Sequence, residues 1–91
     1  MKKLEEYCLS ECEKRILLTI LRFGWCESSK IHHIDIETIK KKVIYICKEG
    51  FDNCFDNLVK LGLVKSRNYP VLTREGYKIV SDYYKRIRKL V

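Results

Sequence analysis

The chain has 91 residues, of which 46% are hydrophobic and 34% are charged, with a formal net charge of +7, five cysteines and one proline. This length and composition fit one globular domain and exclude a disordered or low-complexity chain. No stretch approaches the roughly 20 apolar residues of a membrane span, and no apolar run of the signal-peptide type follows the N-terminus, so we expect a cytoplasmic protein.

The positive charge is concentrated in two segments of the chain. Residues 30–48 carry five basic and two acidic side chains, and residues 64–91 carry eight basic and two acidic ones. A basic surface attracts polyanions, although a solvated surface that only keeps the protein in solution is the alternative explanation. The charge distribution therefore makes nucleic acid a candidate partner.

Residues 1–9 are expected to form a helical or frayed N-terminal arm. A helix is predicted over residues 11–23, because Ser10 and Glu13 have the spacing of a capping box and Gly24 suits the left-handed position that ends a helix. Its inner face is marked by four apolar residues at helical intervals, Ile16, Leu17, Ile20 and Leu21. A loop with a short extended piece is predicted over residues 26–34.

A second helix is predicted to begin after Asp35, a residue type favoured at the N-cap. The run Ile44–Cys47 fits a helix or a strand, and we assign it to the helix end and the following turn, with residues 48–50 completing the break. A third helix is predicted over residues 51–61, and Gly62 suits the position after its end. The apolar residues that line one side of this helix are Phe55, Leu58 and Leu61.

A β-hairpin and a last helix complete the predicted order. Residues 63–67 and 71–73 are predicted as antiparallel strands, because Asn68-Tyr69-Pro70 between them has turn chemistry. The last helix is predicted over residues 74–90, with Thr73 as its N-cap. Three helices with a turn between the second and third make a helix-turn-helix unit, and the hairpin adds a wing.

Two motifs lie around the predicted hairpin, Leu58-Val59-Lys60-Leu61-Gly62-Leu63-Val64 and Tyr69-Pro70-Val71-Leu72-Thr73-Arg74-Glu75-Gly76-Tyr77. They resemble the apolar-x-x-L-G-L-V end of the recognition helix and the aromatic-x-L-T-x-x-G segment beside the wing in winged-helix regulators of the MarR and PadR type. In this chain Tyr69 lies one residue further from Leu72 than in the common spacing. The resemblance covers about residues 10–91. A short chain rich in Lys, Ile and Tyr is also similar to winged-helix proteins of hyperthermophilic archaea and their viruses. For a viral protein the expected location would be the host cytoplasm.

The resemblance implies a mostly helical α+β fold, namely a winged helix-turn-helix with a short β-hairpin wing and a C-terminal dimerisation helix. It also implies a homodimer that binds double-stranded DNA in a sequence-specific way and regulates transcription. The third helix would then enter the major groove, and the wing would reach the backbone or the minor groove.

In this arrangement Asn53 and Asn57, four apart on the third helix, are candidates for base contacts, because Asn can form two hydrogen bonds with adenine. Two solvated polar residues are the alternative. Contacts to phosphates or the minor groove are expected from basic residues on and around the helix, which are Lys40, Lys41, Lys42, Lys60, Lys65 and Arg67. However, Glu49, Asp52 and Asp56 repel phosphates, which keeps a protein-binding winged-helix module without DNA readout as the second hypothesis.

The last helix has apolar residues on more than one side. One set can cover the core of the domain and comprises Tyr77, Val80, Tyr84 and Ile87. The remaining apolar side chains would be left exposed, which suggests an interface, although a wide self-packing face is the alternative. The predicted dimer interface contains Ile79, Tyr83, Tyr84, Ile87 and Leu90.

The five cysteines form no C-x-x-C pair, so neither a metal nor another cofactor is expected. Buried free thiols are the default explanation. A disulfide is the second, with Cys8 and Cys12 as candidates for a link between subunits. The chain has no nucleotide-binding fingerprint, metalloprotease motif or nucleophile elbow, and we expect no enzymatic activity.

Overall fold

The structure is a computed structural model and describes residues 3–23, 25–26, 34–66 and 68–89, which form a mostly helical α+β fold. In chain order the elements are a 3₁₀ turn (Leu4–Tyr7), α1 (Glu11–Phe23), β1 (Trp25–Cys26), α2 (Ile36–Cys47), a second 3₁₀ turn (Lys48–Gly50), α3 (Phe51–Lys60), β2 (Val64–Lys65), β3 (Val71–Leu72) and α4 (Arg74–Lys89). The predicted bounds of α1, α3 and α4 agree with these to within one residue. Gly24, predicted to follow α1, lies outside the described residues.

The strands form a three-stranded sheet in the order β1-β3-β2. The hairpin of β2 and β3 is antiparallel, with Val64 opposite Leu72 and Lys65 opposite Val71, and this confirms the predicted hairpin. β1 joins the other edge of β3 in parallel, so that the chain after α1 is tied to the hairpin. The sequence predicted a short extended piece near this position but not its strand partner.

α1 lies at the centre of the helices and contacts α2, α3 and α4. Each helix turns an apolar stripe toward the others, as an amphipathic pattern requires. Burial of each large apolar side chain contributes about 1.5–3 kcal/mol. The fully buried side chains of the four helices include Ile16, Leu17, Ile20, Ile39, Val43, Phe55, Leu58 and Val80.

The start of α1 confirms the predicted capping box. The backbone N–H of Ser10 donates to Glu13 Oε1 at 2.9 Å, and the backbone N–H of Glu13 donates to Ser10 Oγ at 3.3 Å. Asp35 occupies the predicted N-cap of α2 but makes no side-chain cap to the backbone, and its carboxylate accepts a hydrogen bond from the hydroxyl of Thr38.

The hairpin is fixed to the two flanking helices at one junction. Gly62 follows α3 with a φ of 77°, which is the left-handed conformation expected of it. The hydroxyl of Thr73 donates to the carbonyl of Gly62 at 2.6 Å and accepts the backbone N–H of Gly76 at 3.0 Å, which confirms Thr73 as the cap of α4. A Cβ on Gly76 would lie 2.1 Å from the carbonyl oxygen of Leu63, so only glycine fits there.

A disulfide joins Cys12 in α1 to Cys47 at the end of α2, with a Cα–Cα distance of 4.9 Å. Both residues belong to the core, and the bond is made within one chain. The prediction that Cys12 takes part in a link between subunits is therefore wrong, because Cys12 already has a partner in its own chain. Cys8 is an exposed free thiol, and a link through Cys8 stays a prediction.

The N-terminal segment is held against α4 rather than frayed. Leu4 is fully buried, and the hydroxyl of Tyr7 donates to a carboxylate oxygen of Glu75 at 2.7 Å. The carboxylate of Glu5 accepts two hydrogen bonds from the guanidinium of Arg86. Among the described residues, no helix combines the length and apolar character needed to cross a membrane.

Candidate nucleic-acid interface

The outer side of α3 is polar and exposed, while its inner side is anchored in the core by Phe51, Phe55 and Leu58. The exposed side forms a shallow depression, here called the α3 surface, which is lined by Asn53, Asp56, Asn57, Val59 and Lys60. The structure thus brings together three of the residues predicted to contact DNA, namely Asn53, Asn57 and Lys60. Val59 adds an apolar contact point, because 43% of it is exposed.

Asn57 differs from Asn53 in that its amide is already engaged. Its Nδ2 donates to Glu13 Oε2 in α1, and Glu13 is only 7% exposed. The same carboxylate caps α1 through Ser10, so Asn57 fixes α3 on α1. Both side chains are exposed on α3. One amide N–H of Asn57 is held by Glu13, and its second N–H and its carbonyl oxygen are left for a base.

The charge of α3 is opposite to that of most of the chain. Asp52 and Asp56 are exposed on the helix, and Glu49 is exposed in the 3₁₀ turn before it. Lys60 is the basic residue at the end of the helix. Phosphates that approach the α3 surface therefore meet carboxylates at its start and an ammonium group at its end.

The remaining basic residues predicted to contact DNA are spread over other elements. Lys65 is exposed on β2, which packs next to α3. Lys41 and Lys42 are exposed on α2, and Lys40 is half-buried. Lys42 lines a different groove, described next. Arg67, predicted on the wing as a backbone or minor-groove contact, lies outside the described residues.

A larger groove lies between α1, α2 and α4, with a volume of about 640 Å³. We call it the basic groove, because four cations line it: Arg15, Arg22, Lys42 and Lys85. Three tyrosines line it as well, Tyr45, Tyr77 and Tyr84. This groove was not predicted from the sequence, although the seven-residue spacings of Arg15 to Arg22 and of Tyr77 to Tyr84 place each pair on one helix face.

The predicted dimer face of α4 is wrong at Ile79, which is 2% exposed and belongs to the core. Tyr83 is half-buried and packs against the same core. Conversely, Tyr77 and Tyr84, predicted to cover the core, are 41% and 40% exposed. α4 is rotated about its axis relative to the prediction, because Gly76 must face Leu63. The residues three, four and seven positions later, Ile79, Val80 and Tyr83, lie on the same side of the helix and point inward.

Two predicted interface residues remain on the surface of α4, Tyr84 and Ile87, and both line the basic groove. Leu90 lies outside the described residues. The self-packing face of α4 is narrower than the alternative interpretation expected, because Ile79, Val80 and Tyr83 pack inward while Tyr77 and Tyr84 are exposed.

Arg86 links α4 to the N-terminal segment. It donates to Glu5 and, through Nε, to Asp82 Oδ2 at 3.0 Å, and its guanidinium lies 5.8 Å from the ring centroid of Tyr83. The hydrogen bonds from Arg86 lower the pKa of Glu5 to about 2, and the Glu5 carboxylate raises the pKa of Arg86. This ion pair is exposed and lies outside the α3 surface.

Within the described part of the chain, no group of three or more His, Cys, Asp or Glu side chains is placed to hold a metal ion. Comparisons of the chain with models of protein families, with curated proteins and with solved structures found no match.

Proposed function

We propose that this chain is a winged helix-turn-helix protein that binds double-stranded DNA through α3 and the β2–β3 hairpin and regulates transcription. The observation that carries this proposal is the presentation of α3. Its apolar side is anchored by Phe51, Phe55 and Leu58, and its polar side is exposed along its length. A rigid helix with one free polar side is the element that enters a major groove in proteins of this type.

The junction after α3 supports the same proposal. Gly62 lets the chain leave α3, and Thr73 binds both Gly62 and Gly76, so the hairpin has a fixed position beside the helix. Lys65 on β2 and Lys60 on α3 then give this side two cations for phosphates. In this assignment Asn53 and Asn57 are the base-reading side chains, and Asn57 also links α3 to Glu13 of α1.

The homodimer expected from the sequence cannot use all of the predicted contacts. Ile79 is buried, and Tyr83 packs on its own core. Tyr84 and Ile87 lie in the basic groove, where a second copy would bring two sets of cations together. We therefore propose duplex binding for the single chain, and sedimentation at increasing protein concentration measures whether a dimer forms.

A second function, binding of a partner protein through the α3 surface, is favoured by one observation. Asp56 and Val59 lie with Asn53 on this surface, and Asp52 is exposed next to Asn53 in the chain. Acidic and apolar groups together suit a basic protein partner better than phosphates do.

Selection of bound duplexes from a random pool separates the two functions. If the protein binds DNA, the selected duplexes share a sequence, and Lys60→Ala and Lys65→Ala each weaken binding to all of them. Lys78→Ala is the matched control, because Lys78 is exposed on α4 outside the α3 surface. Failure to enrich any sequence at about 50 mM salt would favour the protein partner.

A further inference from the structure

The basic groove combines four cations with three exposed tyrosines, whereas the residues that line the α3 surface include one cation and no aromatic ring. Its four cations come from three helices, Arg15 and Arg22 from α1, Lys42 from α2, and Lys85 from α4. None of the described residues that line it is acidic. The groove therefore attracts an anion, and the cations are distributed along it rather than gathered at one point.

The tyrosines of the groove offer ring surfaces to a ligand. Tyr45 is 65% exposed, Tyr77 41% and Tyr84 40%, and these are among the most exposed large apolar residues described. An aromatic ring left at the surface beside cations is the combination with which proteins hold unpaired nucleobases and their phosphates. In a duplex the base faces are already stacked on one another and cannot reach these rings.

We infer that the basic groove is a binding site for single-stranded nucleic acid, with bases stacked on Tyr45, Tyr77 and Tyr84 and phosphates paired with the four cations. The stretch of α4 from Tyr77 to Lys85 is about 12 Å long at 1.5 Å per residue, which gives room for a few nucleotides. The site lies outside α3 and the hairpin, because no described lining residue belongs to them. It goes beyond the proposed duplex binding and does not rest on it.

Two other occupants, a second copy of the chain and an acidic peptide, match the side chains of the basic groove less well than a single strand does. A second copy of the chain would place its own cations against those of the first, which costs free energy unless anions lie between them. An acidic peptide would satisfy the cations but would leave the three exposed tyrosine rings unused.

The test measures fluorescence anisotropy of labelled oligo(dT) and oligo(U) strands of about ten nucleotides at about 50 mM salt. One or both strands should bind, and the pair distinguishes DNA from RNA as the source of the single strand. Tyr45→Ala should weaken binding roughly five-fold to 100-fold, while Tyr45→Phe, which keeps the ring, should bind like wild type. No binding of either strand would overturn the inference.

Two matched controls separate this site from general attraction of polyanions. Lys85→Ala should weaken single-strand binding, because Lys85 lines the groove. Lys78→Ala on the same helix should not, because Lys78 is not among the residues that line it. Tyr69→Ala removes an exposed tyrosine of the hairpin and should have no effect. Equal losses in the paired variants, equal binding of poly-glutamate, or a dimer that the groove variants dissociate would each overturn the inference.

The single-strand site and the duplex site can be tested independently with one variant for each. Tyr45→Ala should leave binding of a selected duplex unchanged, and Asn53→Ala should leave binding of oligo(dT) unchanged. A groove variant that lost both activities to the same extent would contradict a separate single-strand site.

Discussion

The side-chain amide of Asn57 in α3 donates a hydrogen bond to the carboxylate of Glu13 in α1. Glu13 also caps α1 by accepting the backbone N–H of Ser10, so one nearly buried carboxylate ties the exposed helix to the centre of the fold. This contact adds a polar link to the apolar packing that holds α3 on the core, and it gives Asn57 a structural role.

Asn57→Ala should lower the free energy of unfolding by about 1–3 kcal/mol, because a nearly buried carboxylate oxygen loses its partner. Asn53→Ala is the matched control, since it makes the same change in helix propensity at an exposed position and should stay within about 0.5 kcal/mol of wild type. Urea denaturation measures both values. Equal stability of the two variants would show that the contact with Glu13 contributes nothing.

Gly76→Ala should destabilise the protein by about 3 kcal/mol, because the new methyl group would lie against the backbone carbonyl of Leu63 and neither backbone can yield cheaply. Gly50→Ala is the control, since a Cβ there meets nothing within 4 Å. Thermal unfolding followed by circular dichroism compares the two. A Gly76→Ala protein as stable as the Gly50→Ala protein would contradict the packing of α4 against Leu63.

Reduction of the Cys12–Cys47 disulfide should lower the free energy of unfolding by about 4 kcal/mol, the loop-closure value for a sequence separation of 35 residues. The double variant Cys12→Ser, Cys47→Ser should show the same loss without reductant. Cys8→Ser, which removes an exposed free thiol, should not. A wild-type protein whose unfolding is unaffected by reductant, or a reductant-sensitive dimer that persists in the Cys8→Ser variant, would contradict the intrachain bond.

The Glu5–Arg86 ion pair should stabilise the protein in a pH-dependent way. The pKa of Glu5 is lowered from 4.5 to about 2, so its contribution is present above about pH 4.5 and is lost as the pH falls to about 2. In a double-mutant cycle with Glu5→Gln and Arg86→Gln, the coupling measured from melting temperatures at pH 6 should disappear near pH 2. A coupling that stays constant over this range would show that the Glu5 charge is not involved.

Much of the helical framework can be predicted from the sequence because its signals are local. The capping box of Ser10 and Glu13 and the glycine after α3 lie within a few residues of the helix ends that they mark. The same holds for Thr73, whose role as a cap follows from its position before α4. These residues contact their own neighbours in the chain, so their spacing in the sequence is sufficient to predict the helix ends.

The rest of the structure depends on contacts that spacing does not encode. Cys12 and Cys47 are 35 residues apart, and nothing near either residue identifies the other as its partner. The rotation of α4 was mispredicted because Tyr77 and Tyr84 follow the same helical period as buried residues, and tyrosine is found both in cores and on surfaces. The contact between Gly76 and Leu63 decides between the two orientations, and it appears only in three dimensions.

In the candidate sites, too, the local features could be predicted from the sequence and the long-range contacts could not. Asn53, Asn57 and Lys60 lie on one helix, so their proximity could be predicted, but the engagement of Asn57 by Glu13 could not. The basic groove is assembled from three helices, and each contributes only a short pattern such as Lys42 followed by Tyr45.

The most direct test of duplex binding through α3 is a salt titration of the affinity for a selected duplex, made with wild type, Asn53→Ala and Asp52→Asn. The affinity of wild type should fall with salt, with a log–log slope of about −0.9 for each phosphate contact. Asn53→Ala should lose about 1–3 kcal/mol of preference for the selected sequence, and Asp52→Asn should bind more tightly because a repelling charge is removed. Affinity that is independent of salt, or a sequence preference that survives in Asn53→Ala together with unchanged binding by Asp52→Asn, would contradict DNA recognition by α3.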